Sequence, residues 1–177
     1  KNLKSMKLNL IEDKKAKSKS FFFKDDAQKF DQRHINFLIK FYTKTKKDVR
    51  ICLHPNKSSK HHDMVILQSK KNFYLPHKHL RKGETYHILK GSMACVLFNR
   101  MGKITKVCKL KKNNLFRTPL NVFHTMLPVS NYVIYHEGKT GPFLKKNDSI
   151  FPKWNTKLTR NKRLIEKFKK TIYKLIK

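Results

Sequence analysis

Between Tyr74 and Ser92 the chain reads YLPHKHLRKGETYHILKGS, which places three histidines and one of only four glutamates within a short stretch. In an extended strand alternate side chains share a face, so His77 and His79 project the same way, about 7 Å apart along the backbone. Glu84 follows the short connection LRKG and opens the next strand. An antiparallel hairpin there would swing its carboxylate back toward the two imidazoles. His124, in NVFHTML, supplies a fourth group from a strand farther along. Two or three imidazoles with one carboxylate suit one divalent transition metal, and two His with one carboxylate form the facial set of iron(II) sites that keep positions open. Iron, manganese, zinc and nickel all fit such donors, and the residues do not choose among them.

Single histidines carry less information. His54, His61, His62 and His136 are read as surface or hydrogen-bonded groups, because histidine is frequent in this chain. The chemistry rests on the combination of His77, His79, Glu84, the following Gly91 and the distant His124. Tyr86 shares the strand face of Glu84 and is a candidate to line the pocket or to fill core. Glu137 is a candidate proton donor or substrate contact, with pairing to one of the many lysines as the alternative. Cys52 and Cys95 could face the same pocket, but small buried apolar residues are the simpler reading.

The elements that must position these groups follow from hydrophobic spacing. Residues 1–24 scatter Lys and Ser around short apolar pieces without a clear period and read as a flexible basic arm. Within 25–48, Phe30, His34, Phe37, Leu38 and Phe41 recur at helical spacing, with Asp25 or Asp26 placed to cap the start. From 49 to 155 the signal is of short strands: VRICLH, MVILQS, NFYLPHKH, TYHILKG, MACVLFN, ITKVCKL, VFHTMLP and YVIYHE. Many strands at close spacing without helical pattern between them predict an antiparallel sandwich or barrel. Residues 156–177 turn helical again, with Ile165, Phe168, Ile172, Leu175 and Ile176 on one stripe, Lys and Arg elsewhere, and Thr159 or Asn161 near the start.

Charge bounds the partners. In 177 residues, 43 Lys and Arg oppose 11 Asp and Glu, a net charge of +32. An A/T-rich codon bias would inflate Lys, but Glu also has A/T-rich codons, so bias alone does not explain the scarcity of acids. Such a field draws anions: nucleic acid, an acidic membrane surface or phosphorylated metabolites. No apolar run approaches the ~18–20 residues that cross a bilayer, and the Lys-rich start lacks a signal-peptide core, so a cytoplasmic protein is expected. Cys52, Cys95 and Cys108 lack metal-knuckle or disulfide spacing and are read as reduced.

The run from His77 through His79 and Glu84 to Gly91 resembles the first cupin motif, and TPLNVFH, Thr118 to His124, resembles the second. Within that superfamily RICLH at 50–54, PHKH at 76–79, HEGKTGPF at 136–143 and FPKW at 151–154 are similar to WbuC-type cupin-fold metalloproteins. The resemblance implies an all-β core: a cupin double-stranded β-helix, or jelly roll, over 49–155, with flanking N- and C-terminal α-helices. It also implies that His77, His79, Glu84 and His124 hold one metal. Departures are present. Lys71 and Asn113 stand where glycines often open the two motifs, Asn121 replaces another glycine, and Pro128 replaces the closing asparagine. Asn tolerates the left-handed backbone of a turn glycine, so Asn121 is a mild change.

The expected function is a metal-binding cupin acting on or binding an anionic saccharide or nucleotide sugar, and the resemblance implies surface polysaccharide (lipopolysaccharide O-antigen) biosynthesis. An isomerase, epimerase or oxygenase reaction is compatible with the site. The alternative is a non-enzymatic basic protein that binds nucleic acid or another polyanion on a jelly-roll scaffold. A membrane surface could meet residues 159–177, and the reading leaves room for a homodimer.

Overall fold

The computed structural model describes residues 8–16, 18–24, 29–144, 148–155 and 161–176. Its strands are β1 (Leu10–Glu12), β2 (Lys19–Phe23), β3 (Val49–Cys52), β4 (His61–Ser69), β5 (Glu84–Lys90), β6 (Ser92–Phe98), β7 (Ile104–Lys111), β8 (Leu115–Thr118), β9 (Phe123–Pro128) and β10 (Tyr132–Thr140). Two helices flank them, α1 (Gln32–Thr45) and α2 (Lys162–Leu175). Among the described residues the strands form a seven-stranded sheet, ordered β1-β2-β3-β4-β10-β5-β8, and a three-stranded sheet, β7-β6-β9. This is the expected all-β jelly roll with flanking helices.

Continuous apolar strands reveal four layers. On β4, Met64 and Ile66 point between the sheets while Val65 and Leu67 point beneath α1 beside Leu38. On β6, Met93, Cys95 and Leu97 face the intersheet core, and Ala94, Val96 and Phe98 face α2. Strands covered on both faces lose the apolar-polar alternation, because neither parity meets water. The stripe of α2 therefore packs on the protein itself: Ile172 is fully buried, with Phe168, Tyr173 and Ile176 against the same outer face.

The arm expected over 1–24 differs from this reading, because residues 10–12 and 19–23 are strands. β2 runs parallel to β3, with α1 as the crossover between them. Phe21 sits edge-on to Phe37, ring centroids 5.1 Å apart, and Phe23 packs under the same helix. Three consecutive Phe between lysines carry no period, which hides the strand from pattern reading. α1 is capped by Asp31, whose side chain accepts from Arg33 N at 3.0 Å, while His34 Nδ1 accepts from Asp31 N at 3.2 Å. Asp25 and Asp26, the expected caps, lie outside the described residues. The capping-box signal was masked because His34 fills a place that Glu or Gln usually takes. Asn161 caps α2, accepting from Arg163 N at 2.8 Å, and Thr159 lies outside the described residues.

The stretch NFYLPHKH, expected as a strand, forms only isolated bridges, His77 with His124 and Lys78 with Ile150. Pro76 lacks a donor N–H, which interrupts a regular ladder. The expected hairpin to Glu84 is also absent: β5 pairs with β10 and with β8, an element the sequence pattern did not suggest. Both asparagines at glycine positions adopt positive φ, Asn113 at 69° and Asn121 at 59°, which is the conformation that makes them acceptable replacements. Gly91 has no such substitute. Its φ is 82°, and an added Cβ would lie 2.6 Å from the Tyr132 carbonyl oxygen.

Candidate metal centre

The four expected ligands reach one place from two walls. His124 stands on β9, and His77 and His79 lie on the irregular segment bridged to that strand, so all three imidazoles belong to the smaller-sheet side. Glu84 opens β5 in the larger sheet and crosses the interior to meet them. Their ligand atoms all lie within 4.8 Å of one another. His79, Glu84 and His124 are each at most 3% exposed. A carboxylate in such a place requires compensation, since burying an isolated charge is strongly unfavourable.

Hydrogen bonds fix what the imidazoles offer. His77 Nδ1 donates to the Leu75 carbonyl at 2.9 Å, His124 Nδ1 to that of Val122 at 3.0 Å, and His79 Nδ1 to that of Asp148. A carbonyl only accepts, so each Nδ1 carries the proton and each neutral ring presents its lone pair at Nε2. His79 Nε2 lies 3.0 Å from Glu84 Oε1, and His124 Nε2 lies 3.0 Å from Glu84 Oε2. The His124 pair has hydrogen-bond geometry once one of its atoms carries a proton, whereas buried His79 Nε2 meets Glu84 at the same distance without that geometry. Neutral rings would thus set nitrogen lone pairs against carboxylate lone pairs, and only a proton or a cation between them relieves this.

The ionisation tendencies agree. Burial, with His124 alongside, pushes the His77 pKa down to about 4, which keeps that ring neutral at pH 7. Burial also opposes charge on His79, but the adjacent Glu84 carboxylate outweighs it and raises that pKa. Glu84 itself is held well below the usual carboxylate range: His124, His79 and Lys139 outweigh the burial that would raise it.

Around the cluster lies a cavity of about 170 Å³ whose lining includes His77, His79, Glu84, Tyr86, Glu137 and Lys139. The Tyr86 hydroxyl donates to Glu84 Oε2 at 2.6 Å, and burial raises its pKa far above the ordinary phenol value. Glu137 lies 3.2 Å from Lys139 Nζ, the lysine pairing considered for it, and also lines the cavity. Cys52 and Cys95 fill the intersheet core, and burial raises the Cys52 thiol to about 11. The other histidines lie elsewhere. His54 stacks on His62 at 4.1 Å, and His61 and His136 contact Asp63 at 3.1 and 2.8 Å.

Sequence reasoning missed Lys139, whose Nζ stands 3.3 Å from Glu84 Oε1 and 3.9 Å from Asp148 Oδ2. The available signal was parity: Val133, Tyr135, Glu137 and Lys139 share one face of β10. In so lysine-rich a chain, one inward lysine does not stand out. Lys82 and Asp148, a buried ion pair beside His79, were missed because they lie 66 residues apart in the sequence and meet only in the fold.

Residues 43–110, less than half of the chain, match the profile of a domain of unknown function (DUF6016). Comparison with curated proteins gives no match. Among solved structures, KdgF from Halomonas sp. aligns with a TM-score of 0.45 and 12% identity, over 56% of this chain and 83% of that one. A cupin-2 domain containing protein from Shewanella frigidimarina aligns with a TM-score of 0.42 and 9% identity, over 51% and 78%. A mutant of the Bacillus subtilis oxalate decarboxylase OxdC aligns with a TM-score of 0.44 and 12% identity, over 53% of this chain and 24% of that one.

Proposed function

We propose that this protein is a metal-binding cupin in which Nε2 of His77, His79 and His124 and the carboxylate of Glu84 hold one divalent transition metal ion. The observation that carries this reading is the convergence of four ligand atoms within 4.8 Å of one another, with each of the three rings locked by its Nδ1 proton. Three nitrogens and one carboxylate suit iron, manganese, zinc or nickel and leave coordination positions open on an octahedral ion. Such an ion, when bound, supplies Lewis acidity beside the cavity. Tyr86 and Lys139 orient Glu84 through its two oxygens. Glu137, on the cavity wall beside Lys139, is the group placed to exchange a proton with a bound ligand.

The ligand we propose is a small anionic saccharide, handled in the cytoplasm during surface polysaccharide biosynthesis, in keeping with the resemblance of RICLH, PHKH, HEGKTGPF and FPKW to WbuC-type proteins. The strongly basic surface favours an anion. A cavity of about 170 Å³ takes a single sugar-sized group, so the nucleotide of any nucleotide sugar would remain outside. Among the described residues no helix is long and apolar enough to cross a membrane. The test is a thermal-shift screen of sugar acids, sugar phosphates and nucleotide sugars against the metal-loaded protein, since a ligand bound only by the folded state raises Tm. Stabilisation by small saccharide anions supports the reading, and a response to long polyanions alone overturns the saccharide assignment.

One observation favours a second reading. Between the end of α1 and α2 runs a groove of about 720 Å³ lined by Tyr42, Tyr132, Lys46, Lys70 and Lys71, with Glu166 engaged by Lys169 at 2.9 Å. Lysines beside aromatic rings suit single-stranded nucleic acid. Binding there would weaken steeply and linearly with log salt, and nucleic acid not retained at physiological salt would dismiss it.

A further inference from the structure

Three of the four proposed ligands are held by something local. Glu84 and His124 stand on regular strands, and the Nδ1 protons of His77 and His124 go to carbonyls two residues earlier in the chain. His79 differs. It lies off any regular strand, and its Nδ1 partner is the carbonyl of Asp148, 69 residues away. Segment 148–155 clasps segment 76–79 from the side opposite β9. Lys78 N donates to Ile150 O at 3.0 Å, Ile150 N to Lys78 O at 2.9 Å, and Asn155 Nδ2 to Pro76 O at 2.6 Å.

Asp148 is itself pinned. Its side chain is paired with Lys82, whose Nζ also reaches the Pro142 carbonyl, and its Oδ1 accepts from Leu144 N at 3.2 Å. The side chains of Lys82 and Asp148 are 7% and 5% exposed. A buried ion pair contributes little net stability once desolvation is counted, so stability alone is a weak reason for one here. We infer that the Lys82–Asp148 pair is a positioning device for the metal centre: by fixing the Asp148 carbonyl, it holds His79 with Nδ1 protonated and Nε2 aimed at the ion. This rests on the metal reading above, and neither residue is a ligand.

Lys82→Met in the full-length protein tests it, because two physical effects predict opposite signs. Removing a cation near the centre would by charge alone tighten binding of a divalent ion. Loss of positioning loosens it, by the about 10- to 100-fold typical of groups that orient ligands. We expect the loosening, read as the Kd for Zn(II) in competition with a chelator, with Lys82→Arg recovering most of the affinity and the exposed Lys112→Met unchanged. A second readout needs no metal. By nitrogen NMR the His79 Nδ1 proton of the metal-free wild type should be protected from solvent exchange, and in Lys82→Met or the near-isosteric Asp148→Asn it should not. Zn(II) affinity in Lys82→Met equal to or tighter than wild type, or undiminished Nδ1 protection in both variants, overturns the inference. A wild type that binds no Zn(II) defeats the metal reading instead, and the NMR arm still decides whether the pair positions the ring.

Discussion

The space between the two sheets has two ends built on the same strands. The inward face of β5 reads Glu84, Tyr86, Ile88, and opposite them in register on β10 stand Lys139, Glu137 and Tyr135. Each strand thus passes from charge, through a tyrosine, to hydrocarbon. At the Ile88 end, neighbours such as Met93 and Val133 are fully buried and need no specific partner. At the Glu84 end burial is less complete, with Glu84 2% and Glu137 8% exposed, and the charged groups depend on particular neighbours. The apolar end stabilises by removing surface from water. The charged end exists at the expense of desolvation, and the proposed cation would offset part of that cost.

If the two ends are energetically separate, substitutions should sort by end. Ile88→Ala should lower unfolding free energy by about 2–5 kcal/mol, the usual loss for a buried aliphatic, while leaving Zn(II) affinity within a few fold. Chemical denaturation with and without metal checks this, and a matching loss of affinity would show that the ends are coupled. Glu84→Gln should do the reverse. It removes the carboxylate charge at nearly constant volume, and metal affinity should fall by more than about 100-fold, beyond the range for groups that merely orient ligands.

The pH dependence should also belong to the charged end. His79 has a raised pKa in the folded chain, because Glu84 outweighs the effect of burial. Such a group contributes stability below its unfolded value near ~6.5 and loses that contribution as pH rises through the folded value. Metal competes with this proton, so the Tm gain from Zn(II) should be larger near pH 8 than near pH 6. A gain independent of pH would mean that His79 is not a ligand. The smallest effect is expected at the boundary: Tyr86→Phe deletes one bond to Glu84 and should cost about 1–2 kcal/mol of metal-binding free energy with little change in fold.

Legibility in the sequence follows the same division. Both helices were readable because periodicity records which faces meet water, the apolar strands because short apolar runs end at turn residues, and the set His77, His79, Glu84 and His124 because of its spacing and the scarcity of glutamate. What pattern could not give was the path by which they converge. Glu84 arrives across the sandwich and not through a hairpin, since β5 is claimed by β10 and β8. Strand β2 stayed hidden because its three phenylalanines serve two faces at once. Lys139, Lys82 and Asp148 act through three-dimensional pairing, which sequence spacing does not encode.

The most direct test of the central claim is elemental analysis of the purified full-length protein beside its His77→Ala/His79→Ala double variant, with each protein folded by circular dichroism. The account predicts one equivalent of a divalent transition metal per wild-type chain after reconstitution and essentially none in the double variant. Stoichiometric metal in the double variant, or none in the reconstituted wild type, would contradict it.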